Sequence, residues 1–183
     1  VDIAPTNIKA GMDIIVSGTL GDHAATVMAA RHDLTLPPEI QSDSAPLCHL
    51  TAAMLAAAPS IAVLRDPTRG GVAASLNELA AAAHVGILLD EAAIPVRPAV
   101  QGVCDILGFD PLTLANEGKL LAFVPPADTA RVLAVMREDP HGREACVIGQ
   151  TTAEEPGTVG LRTALGGIRI VDLPLGELVP RIC

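Results

Sequence analysis

From residue 12 to residue 139 the sequence alternates short apolar runs, closed by Gly or Pro, with longer alanine-rich stretches of helical pattern. Apolar runs this short, rich in Ile, Val and Leu, fit buried strands, so the alternation predicts strands that each feed a helix. The first such unit is "MDIIVSG" (12 to 18) followed by "TLGDHAATVMAARHD", with Gly21 and Asp22 at the turn and helix start. The second is "IAVLRDPTRGGVAASLNELAAAAH", read as a strand over 61 to 64, a turn over 65 to 71 and a helix over about 71 to 83. Between them a polar, proline-marked stretch, "LPPEIQSDSAP" (36 to 46), precedes a helix over about 47 to 58. Strand 85 to 91, helix 97 to 108, strand 119 to 125 and helix 127 to 139 follow. Three closely spaced runs then end the pattern, "EACVIGQ", "TVGLRT" and "GIRIVDL". Helical crossovers early and short connections late predict an α+β (α/β layered) fold, a mixed β-sheet covered by helices.

Half of the 183 residues are apolar, yet there is no Trp or Tyr and there are only two Phe, so the core must be built from Ala, Val, Leu and Ile. A chain of this length forms one domain that buries about two thirds of its unfolded surface. The net charge of -9 repels phosphate backbones, and few aromatics leave no platform for stacked bases, which argues against nucleic acid as a partner. The apolar stretches fall short of the roughly 20 residues that cross a bilayer, and no charged-then-apolar leader opens the chain. A protein of the cytoplasm, away from membranes, is expected. Cys48, Cys104, Cys146 and Cys183 are widely spaced with no C-x-x-C pair, so reduced thiols and no metal site are expected. The first three sit in apolar patterns and are expected to be small buried hydrophobes.

Three stretches carry candidate chemistry, and a fourth, "GDH", carries a weaker signal. In "RDPTRGG" (65 to 71) a strand ends at Asp66, Pro67 fixes the backbone, and Gly70 and Gly71 open a helix. Freed amides and a helix dipole make an anion site there, with Asp66 and Arg69 holding a metal-phosphate group or each other. Taken alone, the same pattern is an Asp-Pro turn with a glycine-started helix. In "ANEGK" (115 to 119), Asn116, Glu117 and Lys119 precede a strand; Glu117 can accept a proton, or the stretch is a solvated turn. In "GDH", Asp22 can cap the helix while His23 faces solvent. The third stretch is the tail "LPLGELVPRIC", whose eleven residues span at most about 36 Å when extended. A terminal thiolate on such an arm can be loaded at one place and delivered to another, and an incidental terminal residue is the plain alternative.

Together and in this order, "IVSGTLGDHAA", "SDSAPL", "RDPTRGG", "LNELA", "LGFDPLTLANEGKL" and the closing "PRIC" resemble the C-terminal half of the HypE family, the carbamoyl dehydratases of hydrogenase maturation. That family sits in a superfamily with aminoimidazole ribonucleotide (AIR) synthetase and selenophosphate synthetase. The resemblance implies a PurM-like fold, the C-terminal domain of AIR synthetase. It implies that Cys183 accepts a carbamoyl group from HypF, that ATP with Mg drives dehydration to a thiocyanate, and that cyanide passes to iron on the HypC-HypD scaffold.

By the same resemblance Glu117 is the base and Asn116 its orienting neighbour, while Asp66, Arg69, Gly70 and Gly71 form a phosphate-facing loop. Ala24 stands where many relatives have glycine after "GDH". The implied layout is a connector over 1 to 11 from an N-terminal ATP-binding domain, a domain over 12 to 172, and an extended mobile tail over 173 to 183. ATP would be bound mainly by the preceding domain, the whole protein would be a homodimer, and this half alone would be inactive. Two alternatives stay open: a noncatalytic docking module of the same fold, or an AIR or selenophosphate synthetase relative.

Overall fold

The computed structural model describes residues 2–173, so Cys183 and all but the first residue of the expected mobile tail lie outside the described residues. The elements run β1 (Asp13–Val16), α1 (Asp22–Arg31), α2 (Cys48–Ala57), β2 (Val63–Arg65), α3 (Gly71–Ala83), β3 (Gly86–Asp90) and α4 (Pro98–Leu107). They continue with β4 (Leu121–Val124), α5 (Pro126–Glu138), β5 (Cys146–Thr152), β6 (Val159–Arg162) and β7 (Ile168–Ile170). The helix signals act where the sequence puts them. Gly21 and Gly70 take left-handed φ of 82° and 75° to turn the chain into α1 and α3. Pro98 and Pro126 stand in the first turns of α4 and α5, where a missing N–H costs nothing, and Gly108 at φ 73° ends α4.

The strands form one mixed sheet in the order β2-β4-β1-β5-β3-β6-β7. The β3–β6 pair is parallel and the other pairs are antiparallel. Between Ile14 and Ile15 the register to β5 slips past Ile148, a bulge next to the loop that leaves β1. Several strands are shorter than the apolar runs suggest, for reasons visible at β1. There the Ser17 N–H donates to the Leu120 carbonyl at 3.0 Å, and the Ser17 hydroxyl accepts the Leu120 N–H at 3.0 Å. A side chain takes over half of the ladder, and the chain is free to turn.

Alternation along the strands divides the core between two faces. Ile14, Val16, Leu121 and Phe123 face α3, whose Val72, Leu76 and Leu79 meet them. Ile15, Ala122 and Val124 face α2 and α5, through Leu50, Met54, Val132 and Met136. Helices α1 and α4 pack on each other over Leu114, with Ala24, Val100 and Cys104 between them. Residues expected to act as a connector are fastened to the sheet. The Ala4 N–H donates to Ala62, the Gly11 N–H donates to Thr151, and Ile8 is buried in the core.

Of the three cysteines expected to be buried, Cys104 is, Cys146 is partly so and Cys48 is not. Cys104 is buried, and its thiol is pushed up to about 11 by burial, then by the charges of Asp105 and Asp110. Half-buried Cys146 is raised as well, chiefly by burial. Cys48 is exposed. It is the first residue of α2, whose buried positions are Leu50 and Met54, and two residues before Leu50 lies the opposite side of a helix. Phe123→Ala, at a fully buried position in β4, between β2 and β1, is expected to lower the unfolding free energy by about 3–5 kcal/mol in urea titration.

Candidate functional site

Three loops meet beside the ends of β1 and β4. The first, 17–22, leaves β1 and starts α1. Its Asp22, 4% exposed, accepts the Thr19 hydroxyl at 2.5 Å and lies 3.5 Å from the Arg97 guanidinium, which also reaches Glu144 at 3.0 Å. The second, 65–71, runs from β2 into α3. Gly71 is left-handed at φ 63°, and a methyl there would sit 2.5 Å from the Leu112 carbonyl oxygen and 2.6 Å from that of Leu114. Only glycine lets the third loop, 112–119, lie this close to the start of α3.

Asn116 holds the three together. It is fully buried. Its side-chain oxygen accepts the Gly21 N–H at 2.8 Å, and its amide donates to the carbonyls of Pro67 at 3.2 Å and Leu114 at 2.9 Å. Its backbone N–H also donates to Pro67 at 3.2 Å. Every polar group of the side chain is engaged with protein, so Asn116 fixes backbone and does not reach toward a ligand.

Glu117, the next residue, is exposed, and its carboxylate enters no hydrogen bond or ion pair among the described residues. Its N–H donates to Asp43 at 3.0 Å. Asp43 belongs to the 42–45 stretch, which crosses the 117–119 loop so closely that a methyl at Gly118 would overlap the Asp43 carbonyl oxygen. The Lys119 ammonium lies 3.3 Å from the Asp43 carboxylate, and its stem passes over Gly18. His23 on α1 ties down the other end through a 2.8 Å hydrogen bond to Ser42.

A cavity of about 280 Å³ opens above this junction, lined by Ser17, Asp43, Arg97, Lys119, Arg143 and Glu144 among others. The structure therefore brings Asn116 and Glu117 together with the loop that carries Asp66, Arg69, Gly70 and Gly71, through Pro67. Asp66 and Arg69 are both exposed, and among the described residues they pair neither with each other nor with another charge. Cys183 lies outside the described residues. Asp43, Arg97 and Ser17 had no assigned role in the sequence reading. A carboxylate in a proline-marked polar stretch, in "SDSAP", was the one available signal.

Residues 9–162 match the family described as AIR synthase related protein, C-terminal domain. The chain belongs to this family. Within it, this AIR synthase-related domain is 53% identical over 182 residues to the carbamoyl dehydratase HypE of Rhodobacter capsulatus, covering 100% of this chain and 54% of that protein. A HypE solved in complex with ATP superposes with a TM-score of 0.92 at 41% identity, over 99% of this chain and 55% of the other. HypE in a HypE-HypF complex gives a TM-score of 0.89 at 39% identity, over 94% and 56%. The domain thus spans about half the length of the curated relatives it matches. No helix among the described residues is long and apolar enough to cross a membrane.

Replacing Asn116 by Ala strands the Gly21 N–H and the Leu114 carbonyl in a buried place, and leaves the Pro67 carbonyl only the backbone N–H of residue 116. The expected loss is about 1–3 kcal/mol of unfolding free energy, measured by denaturant titration.

Proposed function

We propose that this chain is the C-terminal half of a HypE-type carbamoyl dehydratase, with Cys183 as the carrier of the carbamoyl group. The observation that carries this reading is convergence. Ser17 and Gly18 of "SGT", the four residues of "SDSA" and Lys119 of "NEGK" line one cavity, the Glu117 N–H is bonded to Asp43 of its wall, and "RDPTRGG" is tied to "NEGK" by Asn116. These are the stretches on which the resemblance to HypE rests.

The chemistry asks for what the site offers. A carbamoyl group on sulfur holds an amide oxygen that leaves poorly. Phosphoryl transfer from ATP to that oxygen makes it a leaving group, and removal of the nitrogen's protons then forms the nitrile as phosphate departs. The net change on Cys183 is loss of one water, with ATP converted to ADP and phosphate. Glu117 is the base, and its exposed carboxylate, unpaired among the described residues, suits an incoming group. Asn116 positions it through the backbone. The loop of Asp66, Arg69, Gly70 and Gly71 is the side turned to the phosphates.

On this reading the division is a connector over 1–11, a domain over 12–172 and a carrier tail over 173–183. Mg travels with ATP, and the resemblance assigns its ligands, with most of the nucleotide's, to the preceding half. HypF loads the thiol, the HypC-HypD scaffold takes the cyanide, and the whole protein works as a cytoplasmic homodimer.

The test joins this chain to the ATP-binding half, adds HypF, carbamoyl donor and ATP, and follows the mass of the C-terminal peptide. A carboxamide-sized gain on Cys183, then loss of one water only with hydrolysable ATP, is the expected result. Glu117→Gln is expected to load normally and to dehydrate about 10²–10⁴-fold more slowly. An unmodified Cys183 beside an active donor enzyme would overturn the reading and favour a docking module.

A further inference from the structure

We infer that Asp43 is a positioning residue that keeps the Lys119 ammonium away from Glu117 while fixing the Glu117 backbone, an inference that rests on Glu117 being the base. A general base two residues from a lysine faces a simple hazard. An ammonium on the same loop attracts the carboxylate, and an ion-paired carboxylate is a poorer acceptor for a substrate proton. The structure resolves this with one side chain. One Asp43 oxygen accepts the Glu117 N–H at 3.0 Å, and the other stands 3.3 Å from the Lys119 ammonium.

Burial makes this arrangement selective. The Asp43 side chain is 4% exposed and that of Lys119 is 13% exposed, whereas Glu117 is exposed. A desolvated carboxylate holds its partner more firmly than a solvated one does, so Lys119 stays with Asp43. The surroundings leave little slack. Lys119 lies over Gly18, and Gly118 lies under the Asp43 carbonyl, so each neighbour is a residue without a side chain. Across the cavity Arg97 is paired with Glu144, while Arg143 and His141 complete the charged and titratable lining. The loop over 42–45 thus acts as a clamp on "NEGK", and its charge matters as much as its shape.

Three substitutions separate charge from shape. Asp43→Asn keeps an acceptor for the Glu117 N–H and removes the negative charge; Asp43→Ala removes both; Asp43→Asn with Lys119→Gln removes both charges. In the joined enzyme with HypF and saturating ATP, D43N is expected to load Cys183 as the wild type does and to dehydrate it about tenfold more slowly. The double substitution is expected to recover most of that loss. D43N dehydrating at the wild-type rate, or the double variant remaining as slow as D43N, would overturn the inference.

A second readout needs no turnover. In this chain by itself, amide exchange at Glu117 is expected to rise at least about tenfold in D43A and to stay near wild type in D43N, by loss of one protecting hydrogen bond. Equal exchange in wild type and D43A would overturn the clamp. A wild-type enzyme that loads no carbamoyl group would count against the dehydratase reading instead, and the exchange experiment would still decide the clamp.

Discussion

The side-chain amide of Asn116 is the joint on which the site is hung. Gly21 offers a donor, Pro67 and Leu114 offer acceptors, and all three point into one buried spot. A group placed there must accept once and donate twice. Asn does so with a planar, uncharged side chain of the right length. Asp at this position would turn its oxygens toward two carbonyls, and a hydroxyl has a single proton to give. The loops after β1 and β2 are therefore set relative to each other by a residue of the loop before β4, and none of the three is rigid by virtue of its own secondary structure.

That joint explains how charge can be concentrated nearby. Asp22 is buried at the first residue of α1, where the helix dipole favours an anion, with the Arg97 guanidinium 3.5 Å away. Asp43 is buried against Lys119. A buried charge is tolerated when its partner cannot wander, and here each partner is itself held: Arg97 by Glu144, Lys119 by packing on Gly18. Glu117 is the exception, an exposed carboxylate left out of these pairings.

Much of the fold was legible because it depends on local signals. Gly21 and Gly70 before helices, Pro98 and Pro126 in first turns, and apolar runs at strand length each act within a few residues. The mixed sheet follows from them, as do the candidate stretches. The strand order was not legible, since β4 inserts between β2 and β1, and β5 between β1 and β3. Such pairings join residues remote in sequence, Val63 with Phe123 and Gly86 with Thr152, and Asp13 with both Val124 and Gln150. Asp43 was missed for the same reason: its partners, Glu117 and Lys119, are remote in sequence, and nothing local to "SDSAP" distinguishes a buried carboxylate from a turn residue. Cys48 looked buried because its neighbours are apolar, but only the phase of α2, set by Leu50 and Met54, decides which side it takes.

The position of the site within the sheet follows from rigidity. β1 and β4 are neighbours in the sheet and every residue of both is buried, so the loops leaving them start from the most constrained backbone in the molecule. At the other end of the sheet all three residues of β7 are exposed, with Ile168 and Ile170 more than half accessible. Local opening is easiest where buried contacts are fewest, so a constellation that must hold a base and a cation apart is placed most reliably away from that edge. Ser17 and Leu120 make the connection physical: they are the residues just past the ends of β1 and β4, they exchange two hydrogen bonds, and Gly18 and Lys119 are next to them. The clamp of Asp43 on Lys119 and Glu117 thus rests on the strand pair whose own geometry is least free to change.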